Sequence, residues 1–386
     1  MSKRVLFVSN GHGEIAIADR IAQELRVLRP DTAIDHLPLV GESRSAIMGE
    51  VGPRRAMPSG GLLAMGNLRN IARDVGSGLL ALTLTQRRFL KRARGRYDRV
   101  VAIGDVFALL MALGARAPVT YVGTAKSVRV APYGLVERRV LRRADGVFVR
   151  DEATAARLRE QDVDAQAPGN VIVDLFGGDD DARADAAAAG FAPMLAVFPG
   201  SRASSYRDAR FLLEVVRAVA RDRPGLGAVM SIAPLLDAAT FATGFREDGW
   251  HIDERADAMI PFELRDGERV IARAWNGAIG PLLARAQLVV GQAGTANEAA
   301  AAAGVPVVAF ELERDRKTTW YRMRQHGLLG DALAVLPGDP SRAAAELRAL
   351  LDDAPRRAQM GAHGRARMGG PGGALAIARA IDERLR

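Results

Sequence analysis

The amino-acid sequence predicts two doubly wound α/β domains that face each other across a cleft, and three observations support this. The chain has 386 residues, 48% of them hydrophobic, which is enough apolar material for two cores. Short continuous apolar runs alternate with amphipathic stretches, a pattern typical of parallel strands covered on both faces by helices. This alternation fills the chain up to about residue 170, and it restarts after about Pro193.

In the first half of the chain, the apolar runs predict four strands. They lie at 5–8, 100–103, 119–122 and 146–149. A glycine-rich turn follows the first strand, and a helix is predicted from about Ile15 to Leu28. After Gly169 and Asn170, a stretch rich in Asp, Ala and Gly predicts a linker as far as about Pro193, in which Asp179–Asp185 forms a solvated loop.

In the second half, the apolar runs again predict four strands. They lie at 195–198, 228–233, 288–290 and 307–310. A Pro-Gly turn follows the first of these strands, and a helix is predicted from about Asp208 to Arg221. Open parallel sheets bind ligands beyond the carboxyl ends of their strands, so the chemistry is expected at the turns that follow the strands.

Composition excludes several classes of protein. The sequence has no cysteine, which excludes disulfides, thiolate metal sites and cysteine nucleophiles. No apolar run reaches the roughly 20 residues that a bilayer-spanning helix needs. The opening stretch MSKRVLFVSNGHGE has the pattern of a strand and its turn and not that of a signal peptide, so a cytoplasmic protein is expected.

One basic segment, residues 54–99, accounts for the whole net charge of +9, since it contains eleven basic and two acidic residues. Five apolar residues in this segment recur at spacings of three and four, which predicts one apolar helical face. They are Leu68, Ile71, Val75, Leu79 and Leu82. A basic cluster follows them, made of Arg87, Arg88, Lys91 and Arg92.

Two interpretations of the basic segment are open. An apolar face beside concentrated positive charge is typical of a segment that docks on an anionic membrane surface. Docking would make the protein peripheral to the inner face of the cell membrane. Alternatively, the apolar face packs on the first sheet and the arginines form its solvated side.

Two turns of the first domain carry candidate functional residues. The turn Ser9–Glu14 contains Gly11 and Gly13, which let a ligand approach the backbone, and it opens a helix whose N-terminal amides favour an anionic ligand. His12 lies at the same helix start and is a candidate for substrate contact. Asp105 follows the second predicted strand, where it is either a helix N-cap or a general base.

Two turns of the second domain have the chemistry of a phosphate site. Their candidate residues are Gly200, Ser201 and Arg202 in one turn, and Gly294, Thr295 and Glu298 in the other. Ser201 can donate a hydrogen bond to a phosphate oxygen, and Arg202 can pair with phosphate bidentately. Gly294 and Thr295 present backbone amides and a hydroxyl to a diphosphate at a helix N-terminus. Glu298 either accepts hydrogen bonds from a ribose diol or complements the helix dipole.

The order and spacing of these motifs resemble those of GT-B glycosyltransferases, and most closely the lipid-A-disaccharide synthase-related family. The motifs are Ser9–Glu14, Pro58–Gly61, Ile103–Asp105, Val122–Ser127, Pro199–Arg202 and Ala293–Glu298. Lipid-A-disaccharide synthase and the peptidoglycan N-acetylglucosaminyltransferase are more distant relatives. The synthase proper has a different first turn and one more residue before the glutamate of its Gly-Thr-Ala turn, so its acceptor is not carried over to this chain.

The resemblance implies two Rossmann-like domains, an acceptor-side domain at 1–170 and a nucleotide-sugar-binding domain at 171–372. It also implies a C-terminal helix at 373–386 that crosses back to the first domain. The resemblance further implies that the sugar donor is a UDP-sugar and that catalysis needs no metal ion. No cofactor is therefore expected in addition to the UDP-sugar substrate.

The sequence therefore favours an enzyme that moves N-acetylglucosamine or a related hexose from a UDP-sugar to a hydroxyl of a lipid or lipid-linked acceptor, which enters through the basic segment. Asp105 is the first choice for the general base and His12 the second. A UDP-N-acetylglucosamine 2-epimerase on the same fold is the alternative, against which the basic segment argues because an epimerase needs no lipid. A nucleic-acid-binding protein is a further alternative, although the basic segment has few aromatic side chains for base stacking. The sequence leaves the oligomeric state open.

Overall fold

The computed structural model describes residues 2–40, 45–54, 79–124, 126–312 and 316–386 of the chain. These residues form two compact units. Unit 1 comprises Met1–Leu175 and Pro371–Arg386, and unit 2 comprises Phe176–Gly370. Each unit contains one largely parallel sheet whose strands are connected through helices, which confirms the predicted class of two doubly wound α/β domains.

The strands of unit 1 are β1 (Arg4–Ser9), β2 (Ala33–Pro38), β3 (Gly49–Glu50), β4 (Arg99–Gly104), β5 (Val119–Gly123), β6 (Gly146–Val149) and β7 (Ala165–Gln166). They pair in the order β3-β2-β1-β4-β5-β6-β7, and every pair is parallel. The four strands predicted from apolar runs are present. The sequence analysis missed β2 because Asp35 and His36 interrupt its apolar residues. His36 is nevertheless fully buried, and its Nε2 lies 2.8 Å from the hydroxyl of Ser9 on the neighbouring strand.

The helices of the first part of unit 1 are α1 (His12–Leu28), α2 (Leu79–Arg92), α3 (Val106–Ala112), α4 (Leu135–Leu141), α5 (Glu152–Arg159) and α6 (Val171–Asp174). The predicted first helix is confirmed, and it begins at His12 instead of Ile15. Residues from β1, β4 and α3 form one buried cluster, in which Leu6, Val100 and Leu109 are fully buried. This core fixes the carboxyl ends of β1 and β4, which lie side by side.

The strands of unit 2 are β8 (Met194–Phe198), β9 (Gly227–Ser231), β10 (His251–Glu254), β11 (Phe262–Asp266), β12 (Arg269–Trp275), β13 (Leu288–Gly291), β14 (Val307–Glu311) and β15 (Leu333–Pro337). They pair in the order β10-β11-β12-β9-β8-β13-β14-β15. The pairs β10–β11 and β11–β12 are antiparallel, and the other pairs are parallel. The second sheet is therefore mixed, whereas the sequence predicted a parallel one.

The helices of unit 2 are α7 (Asp181–Ala188), α8 (Ser204–Arg221), α9 (Ala238–Glu247), α10 (Ile279–Leu283), α11 (Thr295–Ala303), α12 (Arg316–Leu329), α13 (Pro340–Asp352) and α14 (Ala354–Met368). The stretch predicted as a linker, from Gly169 and Asn170 to about Pro193, contains the helices α6 and α7. The predicted loop Asp179–Asp185 is partly helical for a specific reason. Arg285 forms ion pairs with Asp181 at 2.8 Å and with Asp185 at 2.6 Å. These two carboxylates are one helical turn apart, so the pairs stabilise the helical conformation of α7.

The last helix, α15 (Gly373–Glu383), belongs to unit 1 and packs along α1. Both carboxylate oxygens of Asp174 accept hydrogen bonds from its first turn, from the amide of Gly372 at 2.6 Å and that of Ala374 at 2.8 Å. The guanidinium of Arg29 lies 2.6 Å from the Asp382 carboxylate. No helix in the part of the chain that the structure describes is long and apolar enough to cross a bilayer.

The Arg29–Asp382 pair predicts a pH-dependent attachment of α15. Hydrogen bonding to Arg29 holds the pKa of Asp382 below its usual range. The pair therefore stabilises unit 1 above the ordinary carboxyl pKa of about 4, and this stabilisation is lost as the pH falls further. We expect D382N to destabilise unit 1 by about 1 kcal/mol at neutral pH, and this difference from the wild type to shrink as the pH falls below about 4.

The rate of amide hydrogen exchange in peptides from α1 reports the stability of unit 1 alone, because α1 and α15 both belong to that unit. The exposed neighbour Glu383 provides a matched control, and E383Q is expected to exchange like the wild type. Equal exchange in D382N and the wild type at neutral pH would show that the ion pair contributes nothing to the attachment.

Candidate functional site

The two predicted phosphate turns of unit 2 lie side by side. Strands β8 and β13 are parallel neighbours, with Phe198 opposite Gly291. The carbonyl of Phe198 accepts hydrogen bonds from the amides of Gln292 at 2.9 Å and Ala293 at 3.2 Å. A Cβ atom at Gly200 would lie 4.0 Å from the Cα of Ala293. The structure therefore brings the turn at 200–202 and the turn at 293–298 together.

Both turns open onto a helix start that no side chain caps. The N-cap residue of α8 is Ala203 and that of α11 is Gly294, and neither helix receives a side-chain hydrogen bond at its N-cap. In α8 the amides of Ser205 and Tyr206 already donate to the carbonyls of Arg202 and Ala203. The amide of Ser204 and those of residues 295–297 in α11, with the positive ends of the two dipoles, are available at adjoining positions. Such an arrangement favours a phosphate or diphosphate.

The predicted polar residues of these turns are accessible. Ser201, Arg202 and Thr295 are exposed, and Glu298 is half-buried in the first turn of α11. The guanidinium of Arg202 forms no hydrogen bond or ion pair with any residue that the structure describes, while its carbonyl accepts from the amide of Ser205 at 2.8 Å. An exposed guanidinium beside two open helix starts can take an anion without first breaking an ion pair.

Helix α12 covers the turn at 293–298, which the sequence analysis did not predict. The side chain of Gln325 donates to the carbonyl of Ala293 at 2.8 Å, and Arg322 donates to the carbonyl oxygen of that Gln325 side chain at 2.6 Å. Tyr321 lies over Gly294. Burial raises the pKa of Tyr321, and Glu298 raises it further, whereas Arg202 lowers it. The tyrosine hydroxyl is therefore close enough to Glu298 and Arg202, two predicted site residues, for their charges to change its pKa.

Arg322 is a buried cation next to this turn. Only 8% of the residue is exposed, and its Nε has no hydrogen-bond partner among the described residues. Burial lowers its pKa, while the nearby carboxylates of Asp208 and Glu311 act in the opposite direction. No glycine or turn pattern marks Tyr321, Arg322 or Gln325 in the sequence, so only the fold could reveal that they approach the phosphate turns.

In unit 1, Asp105 caps a helix. Its Oδ1 accepts hydrogen bonds from the amides of Phe107 at 3.0 Å and Ala108 at 3.2 Å, at the start of α3. Its Oδ2 accepts from the side chain of Asn10 at 3.2 Å. The capping interpretation of Asp105 is therefore correct, and its role as a general base stays a prediction.

A second carboxyl group, Glu14, lies beside Asp105 in the first turn of α1. A Cβ atom at Gly104 would be 3.2 Å from the Cγ of Glu14, which shows how closely the side chain packs on the end of β4. The pKa of Glu14 is raised to about 7, chiefly by burial. The charge of Asp105 also raises it, whereas the backbone amide of Glu14 and the nearby Thr124 hydroxyl lower it. Glu14 can therefore gain or lose a proton near neutral pH.

The remaining predicted residues of unit 1 lie at the start of α1. Gly11 is the N-cap with φ +99°, a conformation that favours glycine, and no side chain caps the helix there. A Cβ atom at Gly13 would meet nothing within 4 Å, so packing does not require glycine at that position. His12 is the first residue of α1, and its side chain lies outside the described part of the structure. Gly11 and Gly13 belong to unit 1, whereas the other predicted donor-binding residues belong to unit 2.

The basic segment is described only from Leu79 onward. Leu68, Ile71 and Val75 lie outside the described residues, as does the side chain of Leu79. Leu82 is buried, and Gln86 on the same face donates to the carbonyls of Leu39 and Pro53, each at 3.0 Å. This face of α2 packs on unit 1, so Leu82 does not belong to a lipid-facing surface. The cluster Arg87, Arg88, Lys91 and Arg92 is exposed on the opposite side.

Comparisons with known proteins show the fold. No protein-family model and no curated protein matches the chain. A putative UDP-N-acetylglucosamine 2-epimerase from Listeria monocytogenes is similar over 99% of this chain and 98% of its own, with 16% identity and a TM-score of 0.62. The calicheamicin glycosyltransferase CalG4 is similar over 100% and 98%, with 14% identity and a TM-score of 0.60. Acinetobacter baumannii MurG is similar over 99% of both chains, with 15% identity and a TM-score of 0.58. The chain therefore has the GT-B fold of two Rossmann-like domains.

Proposed function

We propose that the chain is a metal-independent, UDP-sugar-dependent glycosyltransferase of the lipid-A-disaccharide synthase-related type. It transfers N-acetylglucosamine or a related hexose to a hydroxyl of a lipid or lipid-linked acceptor. The observation that carries the proposal is the pair of adjoining turns in unit 2, where two uncapped helix starts lie beside the exposed Arg202. The similar solved structures support the donor class, because they include an epimerase of UDP-N-acetylglucosamine and a glycosyltransferase.

The donor diphosphate binds at these two turns. Arg202 pairs with the phosphate oxygens, and the hydroxyls of Ser201 and Thr295 donate to them. The amide of Ser204 at the start of α8 and the first-turn amides of α11 donate as well. Glu298 accepts hydrogen bonds from the ribose diol. Negative charge develops on the departing UDP, and Arg202 and the two helix dipoles stabilise it, so the protein itself supplies the positive charge that the step requires.

The carboxyl pair of Asp105 and Glu14 supplies the general base. The acceptor hydroxyl oxygen attacks the anomeric carbon, and the bond from that carbon to the phosphate oxygen breaks with its electron pair leaving on UDP. The hydroxyl proton passes to the pair. Glu14 is the expected acceptor of this proton, because its pKa lies near 7 while both oxygens of Asp105 already accept N–H hydrogen bonds. His12 is the second candidate, and Gly11 and Gly13 keep the backbone at the start of α1 open to the sugar.

A two-step assay tests this function. A panel of nucleotide-sugars is first screened for binding by thermal shift, and a radiolabelled donor that binds is then incubated with the protein and a total lipid extract. We expect a UDP-sugar to raise the melting temperature and label to move into the lipid fraction. Stabilisation by UDP-sugars without any transfer to lipid or another acceptor would contradict the proposal.

A second candidate function is epimerisation of UDP-N-acetylglucosamine at C2. The similarity to the Listeria epimerase over nearly the whole of both chains favours it. Incubation with UDP-N-acetylglucosamine alone separates the two candidates, since only an epimerase converts this donor into its 2-epimer without an acceptor. Appearance of that epimer would replace the transferase proposal.

The exposed side of α2 supports membrane docking. The side chains of Arg87, Arg88, Lys91 and Arg92 form no hydrogen bond or ion pair with any described residue, so their charge is not neutralised locally. Leu84, which is 53% exposed, lies on the same helix. Cations without acidic partners beside an exposed leucine fit an anionic lipid surface, where each nearby cation contributes about 1 kcal/mol.

Co-sedimentation with vesicles tests the docking surface. We expect the protein to bind vesicles rich in phosphatidylglycerol more strongly than neutral ones, and this binding to weaken with salt. Replacing all four cations with Gln is expected to abolish the preference. Gln at two other exposed cations, Arg139 of α4 and Arg143 just after that helix, is the control that retains it. Equal sedimentation of the fourfold variant and the wild type, or binding of the wild type to an oligonucleotide and not to vesicles, would contradict membrane docking.

A further inference from the structure

The hydroxyl of Tyr321 lies directly over the start of α11. A Cβ atom at Gly294 would collide with Tyr321 Oη, so glycine at the N-cap is what leaves room for the hydroxyl. Arg202 and Glu298 both act electrostatically on Tyr321, which places the phenol among the residues of the proposed diphosphate site. None of these relations is visible in the sequence, where Tyr321 is 27 residues from Gly294.

The Tyr321 hydroxyl has an unused hydrogen-bonding capacity. It forms no hydrogen bond with any residue in the part of the chain that the structure describes. A phenol hydroxyl carries one donor and an acceptor, and a largely buried donor without a partner costs free energy. A ligand at the start of α11 that offers an acceptor oxygen would remove this cost.

Other buried polar atoms without partners surround the same turns. Ser205 is 1% exposed, its Oγ has no partner, and a Cβ atom at Gly200 would lie 3.0 Å from that oxygen. Arg322, adjacent to Tyr321 on α12, is 92% buried and leaves its Nε unpaired. Buried polar groups in proteins are normally satisfied, so a concentration of unsatisfied ones at two helix starts indicates a site built for a polar ligand.

We propose that Tyr321 donates a hydrogen bond to a phosphate oxygen of the nucleotide diphosphate, so that α12 forms a third wall of the donor site. This inference rests on the proposed function and adds a contact from outside the two turns. Burial raises the pKa of Tyr321, so the phenol is protonated and can donate at neutral pH. The neighbouring cation of Arg322 adds positive charge behind the hydroxyl.

Calorimetric titration of the full-length protein with UDP, UMP and uridine tests the contact. Y321F removes the hydroxyl and keeps the ring, and we expect it to bind UDP about 10-fold or more weakly, as the loss of a hydrogen bond to a charged group requires. Binding of uridine is expected to stay within twofold of the wild type. The control is Y206F, because the Tyr206 hydroxyl accepts from the amide of Asp237 instead of facing the turns. G294A, which pushes the hydroxyl aside, is expected to repeat the selective loss of UDP.

The outcomes separate this inference from the proposed function. Tight UDP binding by the wild type together with an unchanged Kd in Y321F would overturn the role of Tyr321 and leave the proposed function standing. If Y321F bound UDP and uridine more weakly by the same factor, the role of Tyr321 would also be overturned. Such a result would mean that the substitution disturbs the folded structure and does not remove a diphosphate contact. A wild-type protein that binds no UDP would overturn the proposed function, and the diphosphate contact with it.

Discussion

A protein in which Gln replaces Glu14 is expected to transfer sugar about 10²–10⁴-fold more slowly than the wild type near pH 8, the usual contribution of a general base. The amide has nearly the same shape as the carboxyl group but cannot accept the proton of the acceptor hydroxyl. UDP affinity is expected to stay unchanged, because the proposed contacts to the diphosphate come from the turns at 200–202 and 293–298 and do not include Glu14. Turnover and UDP titration on the same preparation measure both quantities.

The variant D105N shows which carboxyl group of the pair is the base. Asn is as good an N-cap as Asp, so α3 keeps its cap, while the charge and the hydrogen bond from the Asn10 side chain are lost. Without that charge the pKa of Glu14 falls, and we expect a loss of about 10-fold or less together with an acid shift of the pH profile. A loss of 100-fold or more in D105N, with E14Q within threefold of the wild type, would return the role of base to Asp105, as the sequence alone predicts.

The raised pKa of Glu14 also makes the stability of unit 1 depend on pH, and the folded protein is less stable at high pH than at low pH on account of this group. Folding raises this pKa from its ordinary value of 4.5 to about 7. Below pH 4.5 the carboxyl is protonated in both states and costs nothing, whereas above pH 7 the folded protein holds a buried charge that costs up to about 3 kcal/mol. E14Q is therefore expected to slow hydrogen exchange in α1 near pH 8 and to leave it unchanged near pH 4.

The wild-type rate of transfer is expected to rise as the pH passes through 7, and the variant is expected to lack this rise.

The sequence predicted the phosphate turns because their determinants are local. A continuous apolar run, a glycine and the start of a helix are all contained within about ten residues around Gly294, and the same holds around Gly200. Parallel pairing then places strand ends at one edge of a sheet, so the two turns were expected to meet once both were assigned to one sheet. The observed pairing of β8 with β13 follows that logic.

The elements that the sequence analysis missed depend on contacts between distant residues. Strands β10, β11 and β12 place charged residues among the apolar ones, so a search for continuous apolar runs passes over them. Glu263 of β11 is 5% exposed, and it is tolerated because Arg255 and Arg273 each lie 2.7 Å from its carboxylate. The antiparallel pairs therefore rest on an ion-pair network that no local pattern reveals.

The proximity of Glu14 to Asp105 is likewise a product of strand register. Strands β1 and β4 pair with Ser9 opposite Ile103, which sets Asn10 beside Gly104 and lets Asn10 bridge to Asp105. The sequence showed Glu14 only as the last residue of a glycine turn. Its burial, and with it the raised pKa, arises from β1, β4 and α1 packing together, and this depends on 90 residues of intervening chain.

Replacing Arg202 with Ala is expected to weaken UDP binding by about 1.5–3 kcal/mol, or roughly 10- to 150-fold, the range for a lost charge-assisted hydrogen bond. The fold should be unaffected, because Arg202 is exposed and pairs with no described residue. Arg221, exposed in the last turn of α8, the helix that follows Arg202, provides the matched control, and R221A is expected to bind UDP like the wild type. Binding to Arg202 also predicts that the affinity of the wild type for UDP falls with salt more steeply than that of R202A. Calorimetry at two ionic strengths measures both effects, and an undiminished UDP affinity in R202A would show that the donor diphosphate does not bind at these turns.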